Sequence, residues 1–367
     1  MESELKKLLI IGAGPYGLSL ALAAKGSSVD YALVGRPLSL WRTLPRGMPL
    51  RTKMTARFDP LGTGSFGTFL QQRGVAEQGS TPISRELFAD YVEWALQQEP
   101  VQTINGEVAG LSEENGIFSA RLLDGTVVRA KQVAVATGAL PHVYIPETLK
   151  EFSVPVEHSL QVSGYAEYAG ARVCVVGGRQ SAFESAVLAA EAGAQQVYVV
   201  YPHESPVFAD SHWSWLADEI ARVRDGVLFS ALPKEERQQI VDRFHHEGRA
   251  KLEPSLAERA QHSAIVLVPD IAAEDFLRSG VIVDRIISAT GFRPRLRHVD
   301  FIAPQLHNRI ELEEGYPALS AAFESTAPGL FFTGMLAAGS FGPLLEYMHG
   351  SAVAAQRIIG AIQARPE

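Results

Sequence analysis

Two short segments of the chain carry glycines at the spacing that binds dinucleotides. In the first, "GAGPYG", Gly12, Gly14 and Gly17 complete the pattern G-x-G-x-x-G. The first glycine permits a tight turn, the second lets the backbone approach a pyrophosphate, and the third lets a helix pack on a strand. The N-terminus of that helix faces the negative charge. Because an apolar run precedes the turn and an apolar helix pattern follows it, the segment predicts a dinucleotide site, with a tight turn alone as the alternative.

The second segment, "VVGGRQSA", departs from this pattern at one position. Gly177 and Gly178 keep the turn and Ala182 keeps the close helix packing, but Arg179 takes the place of the second glycine. A guanidinium suits phosphate because it is permanently charged and donates bidentate hydrogen bonds. Arg179 therefore either holds a pyrophosphate more firmly or fills the groove and closes the site. Our hypothesis is that it contacts the phosphates of a nicotinamide cofactor.

The strand after the second turn bears on which nicotinamide cofactor would bind. Its end, "YVVYPHES", has no arginine for a 2′-phosphate, and Glu204 comes late for a carboxylate that would bind a 2′-hydroxyl. The sequence therefore does not distinguish NADPH from NADH.

Two further strands end in the same tripeptide, Ala-Thr-Gly. They are "QVAVATGAL", with Thr137 and Gly138, and "RIISATGFRP", with Thr290 and Gly291. A Thr-Gly pair is a small and permissive exit at the carboxyl end of a parallel strand, where ligands bind in such sheets. We expect one of these exits beside each glycine turn.

Composition excludes several classes of function. The chain has 367 residues, 33 basic and 41 acidic, so its net charge of −8 argues against nucleic acid or an anionic membrane as the main partner. No run approaches the ~20 apolar residues that span a bilayer. The single cysteine, Cys174, lies within an apolar strand pattern, so a redox-active cysteine pair is absent. No histidine, cysteine or carboxylate cluster has metal-ligand spacing. We expect a cytoplasmic enzyme, and the sequence leaves a homo-oligomer open.

The elements around the turns predict an α/β fold with two Rossmann-like dinucleotide-binding domains, the second inserted into the first. The predicted boundaries are 1–164 for the first part of one domain, 165–285 for the inserted domain and 286–367 for the returning part. A helical insert is expected at 205–262 within the inserted domain. The chain should close with a strand, a glycine-rich loop and a long helix that begins after Gly342-Pro343.

Together these motifs resemble the class B flavin-dependent monooxygenases. The segments "SFGTFLQQRG", "PISRELFADYVEWA", "SPVFADSHW" and "FSALPKEERQQIV" are similar to the branch that hydroxylates the side-chain amines of ornithine and lysine. The resemblance implies FAD at the first turn and NADPH or NADH at the second. It also implies that a C4a-(hydro)peroxyflavin, formed with O2, oxygenates a small-molecule nucleophile at nitrogen or sulfur or in a Baeyer–Villiger reaction.

The same resemblance implies two sets of cofactor contacts. The FAD contacts are Gly12, Gly14, Pro15, Gly17, Trp41, Val108, Thr137, Gly138, Gly334 and Gly342. The NAD(P)H contacts are Gly177, Gly178, Arg179, Gln180, Ser181, Thr290 and Gly291.

The resemblance also points to residues outside the two sets of cofactor contacts. His158, in "FSVPVEH", is either a catalytic residue or a hydrogen-bonded linker residue, and Arg51 and Lys53 are candidates for binding an acidic group of the substrate. The segment "HWSW" at 212–215 would either line the substrate cleft or pack on a helix.

The chain departs from the family at several positions. The segment "LVGRPLSLW" lacks the carboxylate that would bind the FAD ribose, and Val154 replaces the glycine of the linker motif. The segment "GRAKLEPSL" stands where the amine-hydroxylating branch has an Asn-Tyr element, so ornithine and lysine are not expected as substrates. Two alternatives stay open: an NAD(P)H-dependent flavin oxidoreductase or oxidase without oxygenation, and a degenerate flavoprotein without activity.

Overall fold

Strands and helices alternate through the part of the chain that the computed structural model describes, residues 4–51, 57, 59–62, 64–74 and 83–365. The strands are β1 (Lys6–Ile11), β2 (Tyr31–Val34), β3 (Pro49–Leu50), β4 (Ile83–Ser84), β5 (Val108–Glu114), β6 (Ile117–Leu122), β7 (Val127–Val135), β8 (Val156–His158), β9 (Arg172–Val176), β10 (Gln196–Val200), β11 (Val207–Phe208), β12 (Lys251–Leu252), β13 (Ile265–Val268), β14 (Arg285–Ser288), β15 (Leu312–Glu313), β16 (Tyr316–Pro317) and β17 (Leu330–Phe332). The α-helices are α1 (Pro15–Gly26), α2 (Ser39–Thr43), α3 (Phe66–Gln72), α4 (Arg85–Gln98), α5 (Gln180–Glu191), α6 (Leu216–Arg224), α7 (Lys234–His245), α8 (Leu256–Arg259), α9 (Ala273–Arg278), α10 (Pro304–His307), α11 (Ala338–Phe341) and α12 (Ser351–Gln363).

The first sheet carries the N-terminal glycine turn. Its strand order is β2-β1-β7-β6-β5, and β17 pairs with the end of β7. The strands β2, β1, β7 and β17 are parallel, which places their carboxyl ends at one edge. The last four residues of β1, Leu8 to Ile11, are apolar and buried in the core, as in a strand buried on both faces. Ser84 caps α4 by accepting a hydrogen bond from the Leu87 N–H at 3.1 Å.

The second sheet carries the second turn. All five of its strands run parallel in the order β13-β10-β9-β14-β8. Cys174 lies at its centre with no exposed surface. Burial raises the pKa of its thiol to about 12, so this cysteine is an apolar core residue.

The C-terminal segment returns to the first domain, because β17 pairs with β7 and α12 packs on α1. The fold class and the insertion of one domain into the other are therefore confirmed. The domain boundaries differ from those predicted. Val156–His158 already belongs to the second sheet, nine residues before 165, and a boundary at 285/286 would divide Arg285–Ser288. A strand of three residues is too short to show a hydrophobic period.

The last helix also begins later than predicted. A short 3₁₀ turn, Pro343–Glu346, follows Gly342, and the long helix starts only at Ser351. Tyr347 has extended backbone angles, φ −111° and ψ 153°, which interrupt the helix. The partial positive charge of the long helix therefore does not lie at Pro343.

The predicted insert is largely helical and joins the two domains. α6 and α7 lie in it, and Leu216, Val223 and Phe244 are buried in the core of the first domain. The insert thus belongs to the second domain by sequence and packs on the first. Within the described residues, no helix combines the length and apolar character needed to cross a membrane.

Candidate functional site

The first glycine turn has the geometry that its spacing predicts. Gly12 has φ +108°, and a Cβ there would lie 2.3 Å from the Ala136 carbonyl oxygen. A Cβ on Gly17 would lie 1.7 Å from the Gly12 carbonyl oxygen. α1 begins at Pro15, and no side chain caps it at Gly14. The turn is therefore as tight as a pyrophosphate-binding turn requires, and the helix start is open to a ligand.

The first Ala-Thr-Gly exit borders this turn. Ala136 is the residue that Gly12 abuts, and Gly138, two residues on, has φ +72° with open space where a Cβ would point. Gly334 lies nearby, since a Cβ there would lie 3.6 Å from the Tyr16 ring. The end of β7, the N-terminal turn and the start of the C-terminal loop thus meet at one edge of the sheet, where FAD was expected.

Tyr16 fastens the C-terminal loop to the first turn, a role that the sequence analysis missed. Its hydroxyl lies 2.9 Å from the carbonyl oxygen of Leu345 and 2.8 Å from that of Tyr347. Burial raises the pKa of this hydroxyl well above its usual value, so it stays protonated and donates. Within the glycine motif this position accepts many residue types, so spacing alone gave no signal.

The loop after β2, where the ribose of FAD would lie, shows why this position has no carboxylate. Gly35 follows β2 with φ +147°, and a Cβ there would lie 2.8 Å from the Ala13 amide nitrogen. The Leu38 N–H donates to the Ala13 carbonyl oxygen at 3.0 Å. The loop therefore contacts the turn through its backbone and leaves no room for a side chain at Gly35. Backbone groups, and not a carboxylate, are available to a ribose there.

The remaining predicted FAD contacts lie in different places. Trp41 borders the turn, 3.6 Å from where a Cβ on Gly14 would be, and packs on Phe88 with ring centroids 5.8 Å apart. Val108 is the first residue of β5. It follows a segment in which Ile104 exchanges backbone hydrogen bonds with Leu33 and Gly35 at the end of β2. Gly342 instead packs on the insert, since a Cβ there would lie 2.9 Å from the Phe229 ring. Its predicted contact with FAD is not supported, because the insert covers it.

The second turn repeats the geometry of the first. Gly177 has φ +136°, and a Cβ there would lie 2.5 Å from the Ala289 carbonyl oxygen. Thr290 and Gly291 follow, and Gly291 has φ +78° with open space beside it. The second Ala-Thr-Gly exit therefore borders the second turn in the same way that the first exit borders the first turn.

Arg179 points from the second turn towards the insert. It is half-buried at the N-terminus of α5, and its Nη2 lies 3.3 Å from Nε2 of His245, the last residue of α7. Gly178 allows the close approach of two rings, because a Cβ there would lie 2.6 Å from His203 and 2.7 Å from Tyr201. The second turn thus has a basic wall.

The two residues after Arg179 differ in their exposure. Ser181 is exposed, whereas Gln180 turns inward. Its Nε2 donates to Glu184 at 2.7 Å, and its Oε1 accepts from the Glu253 N–H at 3.0 Å. Burial raises the pKa of Glu184 to about 8, which the hydrogen bond from Gln180 opposes. The Gln180 side chain is therefore a structural link and is not available to a cofactor.

His158 is a hydrogen-bonded residue of the domain linker. It is 2% exposed, its Nδ1 accepts from the Leu160 N–H at 3.1 Å, and its Nε2 lies 2.9 Å from the Gly291 carbonyl oxygen. With Nδ1 accepting, Nε2 carries the proton and donates to Gly291. Burial lowers the pKa of this imidazole, which favours the neutral form. Both ring nitrogens are used, so the structure does not support a catalytic role.

Arg51 is held by three residues of the insert. Its guanidinium pairs with Glu253, donates to the Gly248 carbonyl at 2.9 Å and contacts Ser211 Oγ. All three partners lie in the insert, so Arg51 ties the first domain to the insert. These bonds occupy the side chain, so the structure gives no support to the predicted anchoring of an acidic substrate group by Arg51. Lys53 lies outside the described residues.

The aromatic segment 212–215 packs on the C-terminal loop. The Trp213 ring lies 5.8 Å from that of Tyr347, and the Trp215 ring meets Phe244 edge-on at 4.7 Å. Phe244 in turn stacks on Tyr347 at 5.5 Å. These contacts favour the packing interpretation over an open substrate wall.

His142, in the segment after the first exit, was also missed. It has no exposed surface, and neither ring nitrogen has a hydrogen-bond partner among the described residues. Burial and the nearby His298 lower the pKa of His142 to about 4. The His142 carbonyl accepts from the Arg293 N–H at 2.8 Å, which joins the two segments that cross between the domains.

With two such turns established, the comparison with known families is decisive. The profile of the pyridine nucleotide-disulphide oxidoreductase family matches residues 9–232. The chain belongs to this family. Disulfide exchange by an internal cysteine pair is excluded by its single, buried cysteine.

Curated relatives of this oxidoreductase include monooxygenases. It is 26% identical over 285 residues to an FAD-dependent urate hydroxylase from Xanthomonas campestris pv. campestris, which covers 71% of this chain and 57% of that protein. It is 28% identical over 186 residues to a probable indole-3-pyruvate monooxygenase from Arabidopsis thaliana, which covers 48% and 42%. The chain thus spans about half the length of the curated relatives that it matches.

Solved structures confirm the fold. The ornithine N-hydroxylase of Kutzneria sp. 744 superposes with a TM-score of 0.77 at 19% identity, covering 98% of this chain and 99% of that one. The ornithine hydroxylase of Pseudomonas aeruginosa gives 0.77 at 16% identity with the same coverage. The bacillithiol disulfide reductase of Bacillus cereus gives 0.64 at 16% identity, covering 99% and 100%.

Proposed function

We propose that this oxidoreductase is an FAD-dependent monooxygenase that uses NADPH or NADH to oxygenate a small-molecule nucleophile. The observation that supports this most directly is the repeated site geometry. Gly12 abuts the strand exit at Ala136, and Gly177 abuts the exit at Ala289, so each turn faces an open Thr-Gly step. Two dinucleotide sites of matching form are what electron transfer from a nicotinamide to a flavin requires.

The residues present fit FAD at the first turn on its pyrophosphate side. The amides at the start of α1, Gly138 and Gly334 would surround the dinucleotide, and Trp41 would border it. The chemistry that bound FAD supplies is hydride acceptance from NAD(P)H and activation of O2 for transfer of one oxygen atom. The named relatives include an FAD-dependent urate hydroxylase and an ornithine N-hydroxylase solved with reduced FAD, NADP⁺ and L-ornithine, which support the same cofactors here.

The protein itself would orient the cofactors and exclude water. Tyr16 holds the C-terminal loop against the first turn, and Trp213 and Phe244 of the insert pack on Tyr347 of the same loop. Exclusion of water matters because leakage would release peroxide instead of product. His158 would hold the Gly291 carbonyl in place, as a positioning residue at the second exit.

The substrate is expected to be a soft nucleophile, an amine or a sulfide, or a carbonyl compound in a Baeyer–Villiger reaction. Arg51 is paired with Glu253, so we do not assign it to an acidic substrate group. With the Asn-Tyr element also absent, we do not assign ornithine or lysine.

The test is the visible spectrum of the FAD-loaded protein, followed under anaerobic conditions with NADPH and with NADH. Oxygen is then admitted with a panel of amines, sulfides and ketones, and product is compared with NAD(P)H consumed. Flavin reduction with an oxygenated product in near-equal amount is expected. Reduction that yields only peroxide with every compound would favour an oxidase, and failure to bind FAD would favour a degenerate flavoprotein.

A further inference from the structure

The basic side chains at the second turn form one group around Arg179. His245 contacts it, and His203 lies beside Gly178. Burial and the positive charge of Arg249 lower the pKa of both Arg179 and His245. Arg249 already has a carboxylate partner in Glu346. Arg179 forms no ion pair with any carboxylate in the described ranges. A guanidinium left without an anion at a dinucleotide turn has room for one.

The hydrogen bond between Arg179 and His245 has a defined direction. A guanidinium is only a donor, so Nε2 of His245 must accept and the imidazole must be neutral. Burial, Arg179 and Arg249 lower the pKa of His245, and His203 adds to this, while Asp242 opposes it. The surroundings therefore favour the neutral imidazole, which can hold Arg179 by one N–H. Four guanidinium N–H groups remain for a ligand.

The position of Arg179 indicates which anion it meets. It stands at the second-glycine position of the turn, where the pyrophosphate of a bound dinucleotide approaches. The pyrophosphate is common to NADPH and NADH, whereas the 2′-phosphate would lie at the end of the next strand. His203, not Arg179, lies there.

We propose that Arg179 is a pyrophosphate ligand for the nicotinamide cofactor and that His245, from the helical insert, is the positioning residue that orients it. The inference rests on the proposed function. The insert would thus take part in cofactor binding, although it packs on the first domain. Since the contact is with the shared pyrophosphate, Arg179 and His245 act equally on both cofactors and do not select between them.

The test measures equilibrium binding of NADP⁺ and of NAD⁺ to the FAD-loaded protein by calorimetry. Arg179→Ala should raise both Kd values about ten- to a hundredfold, as for loss of a charge-assisted contact. His245→Ala should raise both about three- to tenfold, and His245→Gln, which keeps an acceptor, should restore most of the affinity. His246→Ala is the matched control, since that side chain is 69% exposed and faces Glu247, and it should change neither Kd.

A double-mutant cycle separates positioning from a general structural effect. In the Arg179→Ala background, His245→Ala should have no further effect, and the melting temperature of each variant should match that of the parent. A persisting effect of His245→Ala, or a loss confined to NADP⁺, would overturn the assignment. So would tighter binding by Arg179→Gly, which would identify the arginine as a plug.

The same measurements distinguish this inference from the proposed function. If the parent binds the nucleotides and the Arg179 variants are unchanged, only the arginine's role is wrong. If neither the folded parent nor Arg179→Gly binds either nucleotide, two statements are wrong together. These are the role of Arg179 and the use of a nicotinamide cofactor in the proposed function.

Discussion

The two turns have nearly the same backbone and opposite side chains at their second-glycine position. Gly14 has φ −79° and ψ −174°, and Arg179 has φ −114° and ψ −173°. Both are extended conformations that any residue adopts. A Cβ on Gly14 would make an ordinary contact, 3.6 Å from the Trp41 ring. Glycine at this position is therefore not needed for folding, and the space it leaves is available to a ligand. The second turn carries a guanidinium at this position, and its side chain points towards His245 of the insert.

At the third-glycine position, by contrast, packing requires a glycine in the first turn and allows an alanine in the second. A Cβ on Gly17 would collide with the Gly12 carbonyl oxygen, whereas Ala182 carries a real Cβ at the equivalent place and is fully buried. α1 thus approaches its turn more closely than α5 does. At this position the residue type is set by the packing of helix on turn.

The largest expected effect follows from that packing. Gly17→Ala places a Cβ against backbone that cannot yield, so it should lower the free energy of unfolding by about 3 kcal/mol or more. Ala182→Gly is the control and should lower it by about 1 kcal/mol, from helix propensity alone. Denaturant unfolding of both variants is the measurement. Equal losses would show that the two turns are packed alike.

The second prediction exchanges the residues that differ. Gly14→Arg gives the first turn the side chain of the second, and the extended backbone at Gly14 accepts it. The protein should keep the parent's melting temperature without cofactor but bind FAD about a hundredfold more weakly, a loss of about 2.7 kcal/mol. The sign differs from that of Arg179 because the Trp41 ring beside Gly14 would leave the new side chain in the path of the dinucleotide, whereas His245 holds Arg179 towards the insert. Quenching of flavin fluorescence on titration measures this. Undiminished FAD affinity would mean that the dinucleotide does not cross the first turn at Gly14.

The third prediction concerns the segments that follow the two exits. His142 has a pKa of about 4 in the folded protein, against about 6.5 when unfolded, because burial disfavours its charged form. A lowered histidine pKa means that stability is lost as the pH falls through 6.5 and that the loss is complete near 4. Between pH 7 and pH 5 the loss from this group should be about 2 kcal/mol.

The measurement is the free energy of unfolding at several pH values for the parent and for His142→Phe. The variant keeps a ring of similar size but cannot titrate. Between pH 7 and pH 5, its free energy of unfolding should therefore fall by about 2 kcal/mol less than that of the parent. His246→Asn, at an exposed position, should follow the parent. Parallel curves for the parent and His142→Phe would rule out the buried imidazole as the cause.

The sequence predicted the fold and both turns because these depend on local spacing. Glycines, apolar runs and Thr-Gly exits leave a signal within about ten residues, and Gly12 and Gly177 have the backbone that this signal predicts. The predictions that the structure does not support concern residues whose contacts lie far away in the sequence. Arg51 pairs with Glu253, some 200 positions away, and Gly342 meets Phe229 of the insert. The contact between His245 and Arg179 is of the same kind, and only the folded chain shows it.

The smallest expected effect comes from the position just before the third glycine. In the first turn this is Tyr16, whose hydroxyl bonds to the carbonyls of Leu345 and Tyr347, and in the second it is the exposed Ser181. Tyr16→Phe removes the donor and leaves two carbonyl oxygens of the C-terminal loop without it. It should lower the free energy of unfolding by about 1 kcal/mol, whereas Ser181→Ala should stay within about 0.5 kcal/mol of the parent. Because this loop would border FAD, Tyr16→Phe should also speed FAD release severalfold, measured by dilution of the loaded protein. A normal release rate in a destabilised Tyr16→Phe protein would mean that the loop closes over the first turn without touching the cofactor.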